Sequence, residues 1–401
     1  MPQFPVVDGE LTVGGIPLTR LAARIGRTPF YAYDRAVIAA RMSELRSALP
    51  PSVRLHYAVK ANPMPALVCA LAQQVDGLDV ASAGELKLAL DAGMASADIS
   101  FAGPGKTAAE LEQAVASGVL VNLESAREID LLAEASNRCG QAARVALRLN
   151  PDYELKSSGM KMGGGAKPFG VDAEQAPAML RRIGEAGLAF EGFHVFAGSQ
   201  NLDGEAIAQS QRLGFELVLR LAAHAPTPVR SVNLGGGFGI PYFPGEQRLD
   251  LGPIRDTLGA LQEHSARALP GAHLVLELGR YLVGEAGLYV CRILDRKESR
   301  GTLFLVADGG LHHHLAASGN FGQVLRKNYP VAIGNRMIPE PLAKATVVGP
   351  LCTPLDLLAA DLPLGHGQPG DLVVVFQSGA YGASASPQGF LGHPPALEVL
   401  V

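Results

Sequence analysis

The chain has 401 residues, of which 48% are hydrophobic and 18% are charged, and its formal net charge is −4. This length is more than one ordinary core organises, so we expect two domains, or one barrel with an added domain. The apolar content excludes widespread disorder, and a pI near 6.2 leaves no excess of positive charge for nucleic acid or an anionic membrane.

The first 20 residues have neither the basic start nor the continuous apolar run of a secretory signal. No apolar stretch reaches the length of a bilayer span. The cysteines show no C-x-x-C spacing, which argues against a disulfide framework and a zinc site. They are Cys69, Cys139, Cys291 and Cys352. We therefore predict a cytoplasmic protein with no metal ion, no nucleic-acid partner and no membrane partner.

Between Pro29 and Arg280, short apolar runs alternate with helical patterns such as AGELKLALDAGM and TAAELEQAVASGV. About eight β-then-α units predict an α/β fold, a (β/α)8 TIM-like barrel, which we place at residues 28–277. An open doubly wound sheet is the alternative. The glycine-rich segment ELKSSGMKMGGGAKPFG, residues 154–170, has no periodicity and is predicted to be a mobile loop at the top of the barrel.

After Arg280 the pattern changes to β-rich runs such as TLFLVADGG, KATVVGPLC and DLVVVFQSGAY, separated by turns. These runs predict a second, all-β domain at residues 278–401. The strand-like residues 1–27 are predicted to join it.

Lys60 closes the apolar run LHYAVK and is followed by Asn62 and Pro63. Pro63 biases Asn62 away from helix and lacks a backbone N–H, so the strand should stop at the lysine. Residues just past the carboxyl ends of barrel strands line the active site. A lysine there either extends into solvent or is desolvated enough to form an imine with a carbonyl group.

The run NLGGGFG places Gly235, Gly236 and Gly237 after another apolar strand. Backbone N–H groups of such glycines can approach an anion closely, although a flexible βα turn is the alternative. The run lacks the lysine and the spacing of nucleotide-binding motifs. With Ser199 of AGSQ as an extra donor, it fits one small phosphate.

Glu277 in LELGR is a carboxylate inside an apolar run and needs a cationic partner, either neighbouring Arg280 or a protonated pyridine nitrogen. His194 in GFHVFAG is either a barrel histidine or a flat ring stacked on an aromatic cofactor. An imine-forming lysine, a phosphate cradle, a carboxylate and a stacking imidazole together describe pyridoxal 5'-phosphate (PLP).

The chain resembles the fold-type III PLP decarboxylases, which include diaminopimelate, ornithine and arginine decarboxylases. The likeness runs almost end to end, through YAVKAN, DVASAGEL, GGGF, ELGR, GPLCTPLD and SGAY. GFHVFAGSQ resembles the family's His-x-Gly-Ser segment with two extra residues. The resemblance implies an alanine racemase-like barrel with a β domain, a PLP cofactor, and a homodimer with shared active sites.

The resemblance also implies roles for individual residues. Lys60 would form the imine and Cys352 would donate the proton. Glu277 would face the pyridine nitrogen and His194 the ring. The remaining cofactor residues would be Ser199, Gly236, Gly237, Gly279, Arg280 and Tyr381.

Departures from the family pattern bear on the substrate. Leu278 stands where the family usually has proline, and Thr353 where diaminopimelate and ornithine enzymes carry an acid for a distal amine. The closing segment resembles a biosynthetic branch that includes exosortase-associated decarboxylases and relatives acting on carrier-bound or conjugated amino acids. Candidate substrate residues are Asp308, Thr353 and Asp356.

We therefore predict a PLP-dependent carboxy-lyase that removes the α-carboxylate of an amino acid or amino-acid conjugate through a Lys60 aldimine and a quinonoid. The alternatives are a diaminopimelate decarboxylase of lysine synthesis, an amino-acid racemase on the same architecture, and a regulatory homologue without cofactor. The run LHHHL, with His312, His313 and His314, occupies the region where diaminopimelate enzymes have an arginine-rich segment. Neighbours on a strand face opposite sides, so we predict polar surface there and no metal site.

Overall fold

The computed structural model describes residues 1–153, 160–161, 163–321, 323, 326–337 and 343–401. The chain divides into two compact units. We call Met42–Ile240 with Gln247–Tyr281 the barrel unit. Met1–Arg41, Pro241–Glu246 and Leu282–Val401 form the β unit. Of the predicted loop at 154–170, residues 154–159 and 162 lie outside the described residues.

The described strands are β1 Val6–Val7, β2 Glu10–Val13, β3 Ile16–Pro17, β4 Phe30–Tyr33, β5 Arg54–Ala58, β6 Gly77–Val80, β7 Ile99–Phe101, β8 Leu120–Leu123, β9 Arg144–Asn150, β10 Met160–Lys161, β11 Val171–Asp172, β12 Ala189–Val195, β13 Gly198–Ser199, β14 Ser231–Gly236, β15 His273–Leu278, β16 Gly287–Ser299, β17 Thr302–Ala307, β18 Val331–Ile333, β19 Ala345–Val348, β20 Leu357–Leu362, β21 Leu372–Val375 and β22 Leu397–Leu400.

The described α-helices are α1 Leu18–Ile25, α2 Arg35–Ala48, α3 Pro65–Ala72, α4 Ala83–Asp91, α5 Ala108–Ser117, α6 Ala126–Cys139, α7 Ala176–Glu185, α8 Gly204–Ala222, α9 Gly252–Ala268 and α10 Arg280–Val283. Their ends follow local chemistry. Thr107 and Glu110 form a capping box at the start of α5, and Gly118 ends that helix in the left-handed conformation.

Within the described part of the barrel unit, eight parallel strands close on themselves in the order β9, β12, β14, β15, β5, β6, β7 and β8, with β8 pairing back to β9. The predicted (β/α)8 barrel is therefore confirmed, and the open sheet is excluded. The register sets Gly236 on β14 beside Glu277 on β15, and Glu277 beside His56 on β5. Parallel pairing gathers the carboxyl ends of all these strands at one mouth.

Polar side chains of neighbouring barrel strands are joined by hydrogen bonds. His56 Nδ1 lies 3.2 Å from Asp79 Oδ1, and the Ser100 hydroxyl donates to the same oxygen. Asn122 Nδ2 continues the chain at 3.4 Å from Ser100 Oγ. These bonds satisfy polar groups that would otherwise be costly to bury.

The β unit is organised around the long strand β16. It pairs antiparallel with β4 at Gly287–Val290, with β21 at Tyr289–Arg292 and with β17 over Ile293–Ser299. Its apolar core includes Phe4, Leu11, Val13, Leu18, Leu21, Phe30, Leu288, Val290, Val374 and Phe376. This arrangement confirms the predicted second domain as a separate β structure.

The division between the units differs from the predicted boundary at residue 28. Strand β4 belongs to the β unit, because Phe30–Tyr33 pairs with β16 on one side and β22 on the other. Within the described residues, no helix has both the length and the apolar character that crossing a bilayer requires.

The prediction that the histidine run forms polar surface was wrong. His312, His313 and His314 lie in a turn and are buried, with exposed fractions of at most 1%. The His312 ring lies 3.7 Å from that of His313 and 5.0 Å from that of His393, measured between centroids. Strand alternation does not apply to a turn, so all three side chains can be buried together. We call these four residues the histidine cluster.

Candidate active site

Lys60 lies in a 3-10 turn, Val59–Ala61, that directly follows strand β5. The strand thus ends two residues before the lysine. The polar atoms of Asn62 fix this turn, because its side chain accepts from Met64 N at 3.0 Å and its carbonyl accepts from the Tyr57 hydroxyl at 2.9 Å. Pro65 then starts α3. The Lys60 side chain remains 42% exposed.

Glu277 lies between Lys60 and His194. Its Oε1 is 3.2 Å from Lys60 Nζ, and its Oε2 is 3.1 Å from His194 Nε2. Both Glu277 and His194 are buried. Burial favours the protonated carboxyl, but the Lys60 ammonium, the His194 imidazole and the more distant Arg148 outweigh it. Together they hold the pKa of Glu277 well below its usual range, so this carboxylate stays ionised.

Gly235–Gly237, which we call the glycine loop, span the end of β14, and the backbone requires glycine at Gly237. This residue has φ +76°, and a Cβ atom on it would lie 2.2 Å from the Gly198 carbonyl oxygen. The backbone N–H of Asn201 donates to Gly237 O at 3.0 Å. Gln200, at φ +57°, bonds both backbone polar atoms of Ile240, at 2.7 Å and 3.2 Å. The loop is therefore clamped to the segment that follows β12.

The other barrel candidates surround the same loop. Ser199 is the last residue of β13, beside Gly237. Gly279 packs on the lysine turn, because a Cβ there would lie 2.8 Å from Ala61 Cβ. Arg280 begins α10. The structure thus brings Lys60, His194, Ser199, Gly236, Gly237, Glu277, Gly279 and Arg280 together in the barrel unit.

The remaining candidates lie in the β unit. Cys352 is exposed, and Thr353 precedes a turn in which its hydroxyl accepts from Leu355 N at 3.3 Å. Tyr381 has φ +54°, and its ring centroid lies 6.5 Å from that of Phe321.

Both aspartates proposed for substrate are engaged inside the β unit. Asp356 accepts from Leu311 N at 2.6 Å and Leu351 N at 2.8 Å. Asp308 accepts from Arg292 N at 2.8 Å and from the Thr28 hydroxyl. Their contact with substrate stays a prediction, and the contacts seen here fix loops.

A buried charge network at the barrel mouth was not foreseen from the sequence. Glu124 accepts from Arg148 NH1 at 2.8 Å, Gly103 N at 2.6 Å and Gly170 N at 3.0 Å. Lys106 Nζ lies 3.0 Å from Glu128 Oε1. We call Lys106, Glu124, Glu128 and Arg148 the mouth network. In the sequence, Lys106 of GPGK looks like part of a solvated turn. The only signal of an ion pair is that Glu124 and Arg148 both lie near the ends of neighbouring strands.

The barrel residues fit PLP. A flexible amine and an ionised carboxylate lie 3.2 Å apart, and a backbone cradle leaves no room for side chains at Gly237. An aldehyde, a pyridine nitrogen and a phosphate each find a complementary group there. Among the described residues, no group of three or more His, Cys, Asp or Glu side chains is placed to hold a metal ion.

Comparisons with known proteins identify the family of this chain. Residues 35–284 match the family model described as the pyridoxal-binding domain of pyridoxal-dependent decarboxylases. The chain is 40% identical over 389 residues to the decarboxylase of L-glutamyl-BtrI acyl-carrier protein from Niallia circulans, covering 96% of this chain and 90% of that one. It is 33% identical over 403 residues to diaminopimelate decarboxylase of Aquifex aeolicus, covering 100% and 92%.

Among solved structures, diaminopimelate decarboxylase of M. jannaschii in complex with L-lysine superposes with a TM-score of 0.89 at 26% identity, covering 100% of this chain and 92% of that one. The family match, the sequence identity and the barrel site agree. The chain belongs to the fold-type III pyridoxal-dependent decarboxylases and is a PLP-dependent amino-acid decarboxylase.

Proposed function

We propose that this enzyme decarboxylates an amino acid whose far end is joined to a carrier protein or another acyl group. One observation carries the proposal. The chain has the decarboxylase residues Lys60 and Glu277 in contact, but it has Thr353 at the position where relatives that bind a distal amine have an acid. The similarity to a decarboxylase of a carrier-bound glutamyl group supports it.

When bound, PLP supplies an aldehyde for a lysine amine and a protonated ring that accepts the electron pair left by the departing carboxylate. In this proposal Lys60 would hold the cofactor covalently through its side-chain amine. Glu277 would face the ring nitrogen, where a buried carboxylate favours the protonated form of the ring. His194, whose Nε2 lies 3.1 Å from Glu277 Oε2, would face the cofactor ring. The residues proposed to hold the phosphate are Ser199, Gly237, Gly279, Arg280 and Tyr381.

Cys352 is the proposed proton donor to the substrate Cα. Its exposure in the β unit leaves the thiol accessible, as proton transfer to a bound substrate requires. The family resemblance implies a homodimer with shared active sites, and we propose that assembly here. Sedimentation of the purified protein tests it, because a monomer that retains full activity would contradict the shared site.

The substrate proposal depends on charge near Thr353. An ammonium buried without a counter-charge is costly, so sites for a free distal amine supply a carboxylate. Here the Thr353 hydroxyl accepts a local backbone N–H, and the nearby Asp356 carboxylate accepts two. A substrate with an uncharged amide or thioester at its far end needs space in the binding site and no carboxylate counter-charge.

The lysine assignment is tested by borohydride reduction of the PLP-loaded enzyme followed by peptide mapping. The pyridoxyl adduct is expected on Lys60, because this amine lies beside Glu277 at the barrel mouth. A loss of the visible absorbance band should accompany reduction. An adduct on any other lysine overturns the assignment.

The substrate is tested by carbon dioxide release across free, amide-conjugated and carrier-bound amino acids. Free diaminopimelate and free ornithine are expected to have much lower kcat/KM than a conjugated or carrier-bound amino acid. Thr353→Asp should raise kcat/KM for the free diamino substrates, and Leu355→Asp at the neighbouring exposed position should not. Diaminopimelate turnover at the efficiency of a dedicated enzyme would instead support the lysine-pathway alternative.

A further inference from the structure

The His194–Ser199 segment has two more residues than the family's His-x-Gly-Ser segment, and it places the Phe196 ring near Lys60. Strand β12 ends at Val195, and Phe196 and Ala197 connect it to β13. The Lys60 ammonium nitrogen lies 5.6 Å from the centroid of the Phe196 ring. This distance is within the range in which a cation is attracted to the face of an aromatic ring.

Phe196 is buried against the glycine loop, and the loop is shaped to receive it. Phe196 is 9% exposed. Gly235 has φ +69°, and a Cβ atom there would lie 2.8 Å from Phe196 Cδ2 and 2.7 Å from the Val195 carbonyl oxygen. A larger residue at position 235 would displace the ring. The glycine and the inserted phenylalanine therefore belong to one packing arrangement.

We infer that Phe196 is a positioning residue for Lys60 in cofactor binding, an inference that rests on the proposed role of that lysine. The Lys60 side chain is 42% exposed, and a lysine chain has four rotatable carbons whose freedom is lost when its nitrogen is fixed. Glu277 Oε1 holds the nitrogen on one side at 3.2 Å. The face of Phe196 restricts it on another side.

This arrangement has a consequence for binding of the cofactor. A nitrogen held beside the glycine loop before PLP arrives loses less conformational freedom when the covalent bond forms. Removing the aromatic face should weaken PLP binding, whereas keeping an aromatic ring should preserve it.

A purely structural role for Phe196 predicts a different order of PLP affinities among its variants. If Phe196 only fills volume, an aliphatic side chain of similar size should bind PLP as well as the wild type does. If the ring face holds the ammonium, tyrosine should replace phenylalanine and leucine should not, even where the thermal midpoints of the two variants agree.

The experiment titrates protein stripped of cofactor with PLP and follows the visible absorbance of the lysine-bound cofactor. Phe196→Leu should weaken the apparent affinity roughly 3- to 10-fold, the range expected for losing a partly exposed cation–π contact. Phe196→Tyr should stay within about 2-fold of the wild type. Phe190→Leu removes a buried ring earlier on β12 and should leave the affinity unchanged.

Wild-type affinity in Phe196→Leu, or equal weakening in Phe196→Tyr and Phe196→Leu, overturns the inference. If the leucine variant does not fold, the comparison of Phe196→Met with Phe196→Tyr decides the same question. Borohydride mapping of the same samples separates this result from the proposed function. An adduct away from Lys60 overturns both, whereas an adduct on Lys60 with unchanged affinities overturns only the role of Phe196.

Discussion

Two buried polar clusters in this protein differ in whether their titratable side chains keep a charge. In the barrel unit, Glu277 is buried but lies within 3.2 Å of Lys60, and its pKa is held well below the usual range. In the β unit, burial and the nearby His313 and His393 lower the pKa of His312 to about 4. Burial lowers the pKa of His314 to about 3.

The difference lies in the neighbours. Glu277 has cationic neighbours that outweigh desolvation, so it keeps its charge. His312 lies against other imidazoles, and neither of its ring nitrogens has a hydrogen-bond partner among the described residues. Desolvation then prevails and the ring stays neutral near pH 7. One cluster retains charge for chemistry, and the other contributes packing that depends on pH.

Breaking the mouth network should have the largest effect on stability. Lys106→Met leaves Glu128 buried without its ion-pair partner at 3.0 Å, which should cost about 3–5 kcal/mol of unfolding free energy. Lys87→Met is the control, because Lys87 pairs with Asp91 at an exposed position and should cost less than about 1 kcal/mol. Chemical denaturation measures both, and equal losses would show that the mouth network behaves as surface charge.

Removing the charge of Glu277 should mainly affect the reaction. Glu277→Gln keeps the shape of the side chain, so the fold and PLP binding should persist. Decarboxylation should slow by roughly 10²- to 10³-fold, the range found when one preorganised electrostatic contact is lost. Glu205→Gln, at an exposed position on α8, is the control for handling and folding. Single-turnover rates near the wild-type value would contradict the role of the carboxylate.

The histidine cluster should make stability depend on pH. Because the folded-state pKa of His312 lies at about 4, below the ordinary value, the unfolded chain binds more protons between pH 4 and 6.5. Stability should therefore fall as the pH is lowered through this window, with His312 contributing on the order of 1–3 kcal/mol.

His312→Phe removes that titration and keeps an aromatic ring in the stack. Its thermal midpoint should fall less between pH 7 and pH 4.5 than that of the wild type. The exposed His224→Phe should retain the wild-type slope. An unchanged slope in His312→Phe would show that His312 is solvated.

The sequence predicted the barrel and much of the site because both depend on local patterns. Lys60, Gly237 and Glu277 each follow or end an apolar strand, and closing the barrel gathers strand ends at one mouth. Burial of the histidine run could not be predicted this way, because it involves a ring contact between His312 and His393, which are distant in sequence. The approach of Phe196 to Lys60 likewise depends on how an inserted pair of residues folds.

The contacts of the mouth network suggest how the substrate selectivity of this site can change while the barrel stays intact. Glu124 bonds to backbone N–H groups of Gly103 and Gly170, and Lys106 donates to the carbonyls of Gly103 and Asn122. These contacts are made to main-chain atoms, so side chains near the two glycines that make no contact with the network can vary without breaking them. A library randomised at positions 104, 105 and 166–168 should therefore yield many folded variants, in which selectivity evolves without rebuilding the barrel.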